Sequence, residues 1–247
     1  MGRSASKEAI LSELIGPERA RYVQEMFTRI APHYDLMNRL MTVGQDVAWR
    51  KEVIRRAKLP RAGRLLDLGA GTGDLAREAL HQEPTCQAVA ADFTLDMMRT
   101  GRHSATPASA EGRLDWSAAD AICLPYQDAS FHAVVSGFLM RNVIDVRRSL
   151  AEQYRVLRSG GHIVILDTTP PPETPLAPFI RFHLHTVIPS LGRWIAGSAE
   201  AYHYLPDTTE AFLQPEQLAA RLVEAGFKSV GFHRRMLGTI AIHWGMK

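Results

Sequence analysis

The sequence predicts an α/β domain on an open, mostly parallel seven-stranded sheet, with helices on both faces and a terminal antiparallel strand pair. Three observations carry that expectation. Short apolar runs alternate with helical patterns from Arg64 to Asp167, and such alternation argues for parallel strands joined by crossover helices. One junction, Arg64 to Asp74 (RLLDLGAGTGD), reads as strand, glycine turn and helix. The chain closes on Gly238 to Trp244, where Ile240, Ile242 and Trp244 alternate with Thr239, Ala241 and His243, the period-two pattern of a strand.

The elements follow in order. Residues 1–60 read as an N-terminal helical cap on a main domain of 61–247. Val23, Met26, Phe27 and Ile30 recur at helical spacing, and Met37, Leu40 and Met41 continue the pattern. Trp49, Val53 and Ala57 form a further stripe that Pro60 stops. The strands are expected at Arg64–Asp67, Gln87–Ala91, Arg113–Ala118, Phe131–Ser136 and His162–Asp167. Leu95–His103 reads as a helix, as does the segment with Val146, Leu150, Tyr154 and Leu157 on one side, closed by Ser159-Gly160-Gly161. Residues 168–213 break the rhythm: five of the 14 prolines lie between Pro170 and Pro178, and a long apolar stretch without strand character follows. This reads as an insertion serving as lid or acceptor site. A helix from Pro215, capped by Gly226, and strands at Ser229–Arg234 and Gly238–Trp244 complete the chain.

Composition narrows the function. With 46% apolar residues in 247 the chain buries a full core. The net charge is only +3, from 29 basic and 26 acidic residues, which argues against a nucleic-acid partner. Cys86 and Cys123 are far apart and belong to no metal-ligand spacing, so they are expected to be small core residues in a reducing cytosol, and no metal is expected. No run reaches the ~18 apolar residues of a membrane span, and the N-terminus lacks the build of a signal peptide. The expected location is cytoplasmic, with peripheral contact at the inner face of the membrane. The sequence says nothing of oligomeric state.

The glycine turn sets the ligand. Missing Cβ atoms at Gly69, Gly71 and Gly73 let a ligand approach the backbone. A dinucleotide fingerprint places its third glycine three residues after the second, and that slot holds Asp74. A carboxylate at the strand end, Asp67, suits a ligand carrying an ammonium and a sulfonium better than a pyrophosphate. Asp92, ending the second strand, is placed to accept from both ribose hydroxyls, and also reads as a helix N-cap. Asp120 and Ala121, after the third strand, are placed to meet an adenine amino group and a ring nitrogen.

The loop resembles motif I of the class I S-adenosylmethionine-dependent methyltransferases, whose Rossmann-like sheet ends in the same antiparallel pair. The ADA-x-x-LPY string from Ala119 to Tyr126 is characteristic of that superfamily. Closer still, the string from Met26 to Arg50 (MFTRIAPHYDLMNRLMTVGQDVAWR) resembles the signature of the quinone C-methyltransferase family. So do RNV (Arg141 to Val143) with Asp145, AYHYLP (Ala201 to Pro206) and GTIAIHWG (Gly238 to Gly245). The resemblance runs from about Val23 onward. It implies S-adenosyl-L-methionine as cofactor and a polyprenyl quinol as partner, either demethylmenaquinol or the benzoquinol precursor of ubiquinone. Thr72 joins Asp67, Gly69, Gly71, Gly73, Asp92, Asp120 and Ala121 as cofactor candidates. Members of the family read S-F-G-L-R-N where this chain reads Gly137-Phe138-Leu139-Met140-Arg141-Asn142. The usual cofactor serine is therefore Gly137 here, with Ser136 one residue earlier, and both are candidates. The missing glycine at 139 predicts a differently packed acceptor pocket.

Carbon methylation needs an electron-rich ring, so the acceptor is the reduced quinol, and the enzyme supplies alignment and help with the phenolic proton. Arg141, Asn142 and Asp145 are the catalytic candidates. Arg141 is placed to stabilise a developing phenolate, with an ion pair to Asp145 as the alternative. Tyr34, Tyr202 and Tyr204 are acceptor-site candidates from the resemblance. From Leu176 to Ile195, apolar residues including Phe179, Ile180, Leu184, Ile188 and Trp194 recur at helical spacing, with Arg181, His183, His185 and Arg193 between them. That build predicts an interfacial helix that touches membrane, or a lid packed on the domain.

Overall fold

A computed structural model describes residues 16–104, 111–190 and 199–247. All seven strands form one sheet in the order β3-β2-β1-β4-β5-β7-β6. β1 (Arg64–Leu68), β2 (Gln87–Asp92), β3 (Leu114–Ala118), β4 (Phe131–Gly137) and β5 (Leu157–Thr168) are parallel, and β7 (Ile240–Met246) runs antiparallel between β5 and β6 (Lys228–Arg235). Such a sheet is covered on both faces because each crossover lays a helix against it. On one face Leu65, Ala133, Val135 and Val164 meet α3 (Gln45–Ala57) and α4 (Asp74–Gln82). On the other, Leu66, Val134, Ile163 and Ile165 meet α6 (Val146–Val156) and α9 (Pro215–Glu224).

The N-terminal stripe of Met26 and Ile30 lies on α1 (Pro17–Ile30), which leads through α2 (Tyr34–Met41) into α3. Trp49, Val53, Ile54 and Ala57 of α3 enter the core of the sheet. Met26, Ile30 and Met37 of α1 and α2 instead pack with Ile180, Leu184, Ile188 and Tyr204. The first two of those come from α7 (Ala177–Phe182) and the π turn His183–Val187 that continues it, and Tyr204 from α8 (Ala199–Ala211). Cap and insertion thus share one hydrophobic cluster. The remaining crossover helix is α5 (Leu95–His103).

Three local expectations are corrected. α6 ends at Val156, and β5 begins at Leu157, before the glycines expected to cap the helix. Leu157 pairs with Phe131, and the register then shifts before Ala133 meets His162. Gly160, at φ 75°, therefore serves an irregularity within a strand. Second, Lys58 turns α3 off in the left-handed conformation at φ 45°, before Pro60 can act. Third, Cys86 is buried but Cys123 is exposed. It sits in the turn after β3, where its N–H bonds back to the Asp120 carbonyl.

Among the described residues no helix is long and apolar enough to cross a membrane, and no group of His, Cys, Asp and Glu is arranged to hold a metal ion.

Candidate active site

β1 delivers the chain into the glycine loop at the carboxyl edge of the sheet. Gly69, Gly71 and Gly73 have φ of 67°, 56° and 86°, a region L side chains rarely adopt. Space is equally restrictive: a Cβ on Gly69 would lie 2.8 Å from Leu139, and one on Gly73 2.6 Å from Trp116. Asp67 is buried under this loop. Its Oδ2 accepts from the Ala76 N–H at 2.9 Å, and its Oδ1 has no partner. Burial drives its pKa up to about 7, the Ala76 bond opposes the rise, and the Asp92 and Asp74 charges add to it. Asp92 holds the loop from the side, accepting from Gly71 N–H and Thr94 N–H, each at 2.7 Å. Burial raises its pKa, and those backbone bonds resist.

A cavity of about 120 Å³ opens along this edge. Gly69, Gly71, Asp92, Asp120, Ala121 and Gly137 form its walls, and Val23, Phe27 and Tyr34 of the N-terminal helices cover it. A smaller cavity of about 40 Å³ adjoins it, bordered by Asp67, Thr72, Arg50 and Asp35 and sharing Tyr34, Gly69, Gly71 and Gly137. The donor set fits S-adenosylmethionine. Its ribose hydroxyls, adenine amino group and ammonium each need an acceptor, and the edge offers carboxylates at Asp92 and Asp120 in the cavity wall and an Asp67 Oδ1 without a partner. Asp120 Oδ1 already accepts from Ile122 N–H at 3.1 Å. Of the two residues considered for the serine contact, Gly137 borders the cavity. Ser136 is fully buried, borders neither cavity, and its Oγ has no partner.

Thr72 works through a neighbour, donating its hydroxyl to Asp35 Oδ1 at 2.7 Å. Arg50 binds Asp46 at 2.9 Å and Asp74 at 2.8 Å, fastening α3 to the start of α4. Asp35 and Arg50 were not singled out from the sequence, although both lie in the Met26–Arg50 string and Asp46–Arg50 has the i,i+4 spacing of a helical ion pair.

Arg141 lies in the turn Met140–Asn142 after β4, and is buried. Its partner is Asp167, which takes both its N–H and its guanidinium. The expected alternative partner, Asp145, is engaged elsewhere: it is the N-cap of α6 and accepts from Arg148 N–H at 3.0 Å. An aspartate just before a helix is held there by the free amides of the first turn. Asn142 donates to the Phe138 carbonyl at 3.2 Å and accepts from the Tyr204 hydroxyl at 3.2 Å. Burial raises the pKa of both Tyr34 and Tyr204, so both hydroxyls stay protonated. Tyr202 lies on α8, but its side chain falls outside the described residues.

A third cavity, about 300 Å³ and mostly apolar, lies beyond Phe138. Met41, Ile180, Leu184 and Ile240 line it, and Arg141 and His183 contribute polar groups. Val43, Phe179 and Leu237 border it while being 78%, 74% and 67% exposed. Phe138, at φ 59°, borders all three cavities. Leu139, at the position expected to reshape the acceptor pocket, borders the 120 Å³ cavity, and its side chain packs over Gly69. The apolar face from Leu176 onward divides: Ile180, Leu184 and Ile188 are buried against α1 and α2, whereas Phe179 and Phe182 are exposed. Trp194, Ile195 and Arg193 lie outside the described residues.

Residues 16–247 match the model of the ubiE/COQ5 methyltransferase family. The chain is 45% identical to a ubiquinone/menaquinone biosynthesis C-methyltransferase UbiE of Desulfotalea psychrophila, over 91% of this chain and 90% of the relative. It is 41% identical to a demethylmenaquinone methyltransferase of Thermus thermophilus, over 89% of this chain and 99% of the relative. Among solved structures, the [4+2]-cyclase SpnF superposes with a TM-score of 0.67 at 17% identity, covering 91% of this chain and 94% of that one. That likeness speaks for the fold alone.

Proposed function

The chain belongs to the ubiE/COQ5 methyltransferase family, and we propose that its acceptor is demethylmenaquinol, which it converts to menaquinol. It is an S-adenosylmethionine-dependent C-methyltransferase of menaquinone or ubiquinone biosynthesis. One observation carries the choice of acceptor. The mostly apolar cavity, about 300 Å³, shares Phe138 with the cofactor cavity and holds Arg141 in its wall. A fused-ring quinol with an apolar tail suits such a lining better than the more oxygenated benzoquinol precursor of ubiquinone, which is the second reading.

When bound, the cofactor would supply an electrophilic methyl group from its sulfonium and leave as S-adenosylhomocysteine, while the ring carbon that takes the methyl would release one proton to solvent. In this reading Asp67 receives the ammonium of the cofactor, Asp92 the ribose hydroxyls, and Asp120 with Ala121 the adenine edge. Thr72 positions the loop through Asp35. Arg141, held by Asp167, faces the quinol oxygen beside the reacting carbon and stabilises its phenolate. Asn142 and Tyr204 form a bonded pair that orients this oxygen. Asp145 supports the site by starting α6. α1 and α2, with α7, the π turn and α8 packed against them, act together as the cover over the edge of the sheet. The rim of Val43, Phe179 and Leu237 is the surface for transient contact with the inner face of the membrane, where a polyprenyl tail resides.

Incubation with labelled cofactor and either a naphthoquinol or a benzoquinol, with mass detection of products, tests the reading. The naphthoquinol is expected to gain one ring methyl at the higher kcat/KM. Preference for the benzoquinol would transfer the assignment to ubiquinone biosynthesis.

A further inference from the structure

Three residues that line the apolar cavity carry a buried polar atom the fold leaves without a partner: Asn38 Nδ2, which also borders the 40 Å³ cavity beside the glycine loop, Arg141 Nε and His183 Nε2. Arg141 Nε is buried without a hydrogen-bond partner, although the same guanidinium pairs with Asp167. His183 Nε2 is also buried and unpartnered, and His183 lines the same cavity. Buried polar atoms are almost always bonded, because leaving one bare costs free energy. The two that border neither cavity beside the glycine loop, Arg141 Nε and His183 Nε2, suit a ligand with two oxygens.

His183 carries a second mark. The helix that brings it changes at this residue from α to a π turn, His183–Val187, a register frequently found at functional sites. Ile180, Leu184 and Ile188 pack against α1 and α2 around the turn, so the position of His183 is set by buried neighbours.

The chemistry of the acceptor then decides which oxygen goes where. A quinol has two oxygens across the ring, and the methylated carbon is adjacent to one of them. That carbon must face the cofactor, so its neighbouring oxygen lies on the side of Phe138 and Arg141. The other oxygen points away. His183 borders neither cofactor cavity, so it belongs to that far side.

We propose that His183 is a specificity residue for the acceptor, its Nε2 hydrogen-bonding the quinol oxygen distal to the methylated carbon. This rests on the quinol reading above. Nε2 accepts from the hydroxyl when the ring proton is on Nδ1, and donates to the oxygen when it is not. A ring without that oxygen leaves the nitrogen bare and is selected against.

The test compares a short-tailed naphthoquinol with the same ring lacking the distal hydroxyl. Binding is measured anaerobically by calorimetry, with S-adenosylhomocysteine present to prevent turnover. The wild-type chain should prefer the full quinol by about tenfold, the worth of one neutral hydrogen bond. His183→Leu should bind both rings alike, and His183→Gln should regain most of the preference. Steady-state kinetics should show the KM for the full quinol raised in His183→Leu with kcat little changed. If the leucine variant keeps the wild-type preference, the proposal is overturned and the quinol reading stands. If the wild-type chain binds neither ring, both fall.

Discussion

Thr72 donates its hydroxyl to Asp35 across 2.7 Å, so the glycine loop is tied to a helix of the N-terminal cover. The bond is charge-assisted whenever Asp35 is ionised. Asp35 pays for its place: burial and the Asp74 charge raise its pKa, and the Thr72 bond pulls it back down.

Replacing either partner, as Thr72→Val or Asp35→Ala, should therefore weaken cofactor affinity by about tenfold. The double variant should lose little more than either single one, since both changes break one interaction. Calorimetric titration with S-adenosylmethionine measures this. Additive losses would mean that each side chain acts alone.

Asp67 predicts a pH dependence of opposite sign for stability and for binding. Its folded pKa, about 7, lies above the ordinary 3.8. The folded chain therefore holds the extra proton between these values, and stability falls as pH rises from about 4 through 7. Asp67→Asn should remove that slope and raise stability above neutral pH, by on the order of a few kcal/mol. Cofactor affinity should move the other way, because an ammonium needs the ionised form. It should increase with pH through about 7 in the wild-type chain and be low at all pH in the variant. Melting curves and titrations at about pH 6 and about pH 8 decide it. Parallel slopes in both proteins would reject the role.

Asp92 carries the loop as well as its expected ligand. Asp92→Ala should cost cofactor affinity by roughly 1.5–3 kcal/mol and also lower the melting temperature, since Gly71 and Thr94 lose their acceptor. Gly71→Val should prevent binding outright. Its Cβ would already stand 3.1 Å from Met97, in a backbone conformation that valine resists. Unchanged affinity in both variants would remove the cofactor from this edge.

The Arg141–Asp167 pair separates catalysis from stability. Arg141→Ala should lower turnover far more than it changes cofactor affinity, as expected for a group acting on the reacting ring. Arg141→Ala and Asp167→Ala should each cost about 3–5 kcal/mol of stability, because each leaves the other's buried charge without its partner. A loss confined to melting temperature in Arg141→Ala, with turnover per folded molecule preserved, would reduce the pair to scaffolding.

Phe179→Ser combined with Leu237→Ser should weaken sedimentation with anionic vesicles and lower activity on a long-tailed quinol presented in them. Activity on a short-tailed soluble quinol should survive. Equal loss on both acceptors would place these side chains in the pocket rather than at a bilayer.

The sheet and glycine loop were legible because their determinants are local. Two leucines before Asp67 and three alternate glycines specify a buried strand and a turn without reference to distant residues. The partners of those residues were less legible. Arg141 pairs with Asp167, 26 positions away, rather than with Asp145 at helical spacing, because Asp145 meets the first free amides of α6 before any guanidinium. Ser159-Gly160-Gly161 has the composition of a helix cap, but pairing of Leu157 with Phe131 draws it into the sheet. Tertiary contact decided both cases. His183 looked like one of several polar residues on a helix, and only burial without a partner sets it apart.

Phe138 borders the two cavities beside the glycine loop on one side and the apolar cavity on the other. On the proposed assignment of these cavities to methyl donor and acceptor, a change of this ring alters both in one stroke, so its kinetic effects should appear in both KM values together. The same sharing constrains divergence. Acceptor preference can drift through residues such as Leu184 or Leu237, which border the apolar cavity alone, but at position 138 each gain for a new ring is taxed at the methyl donor.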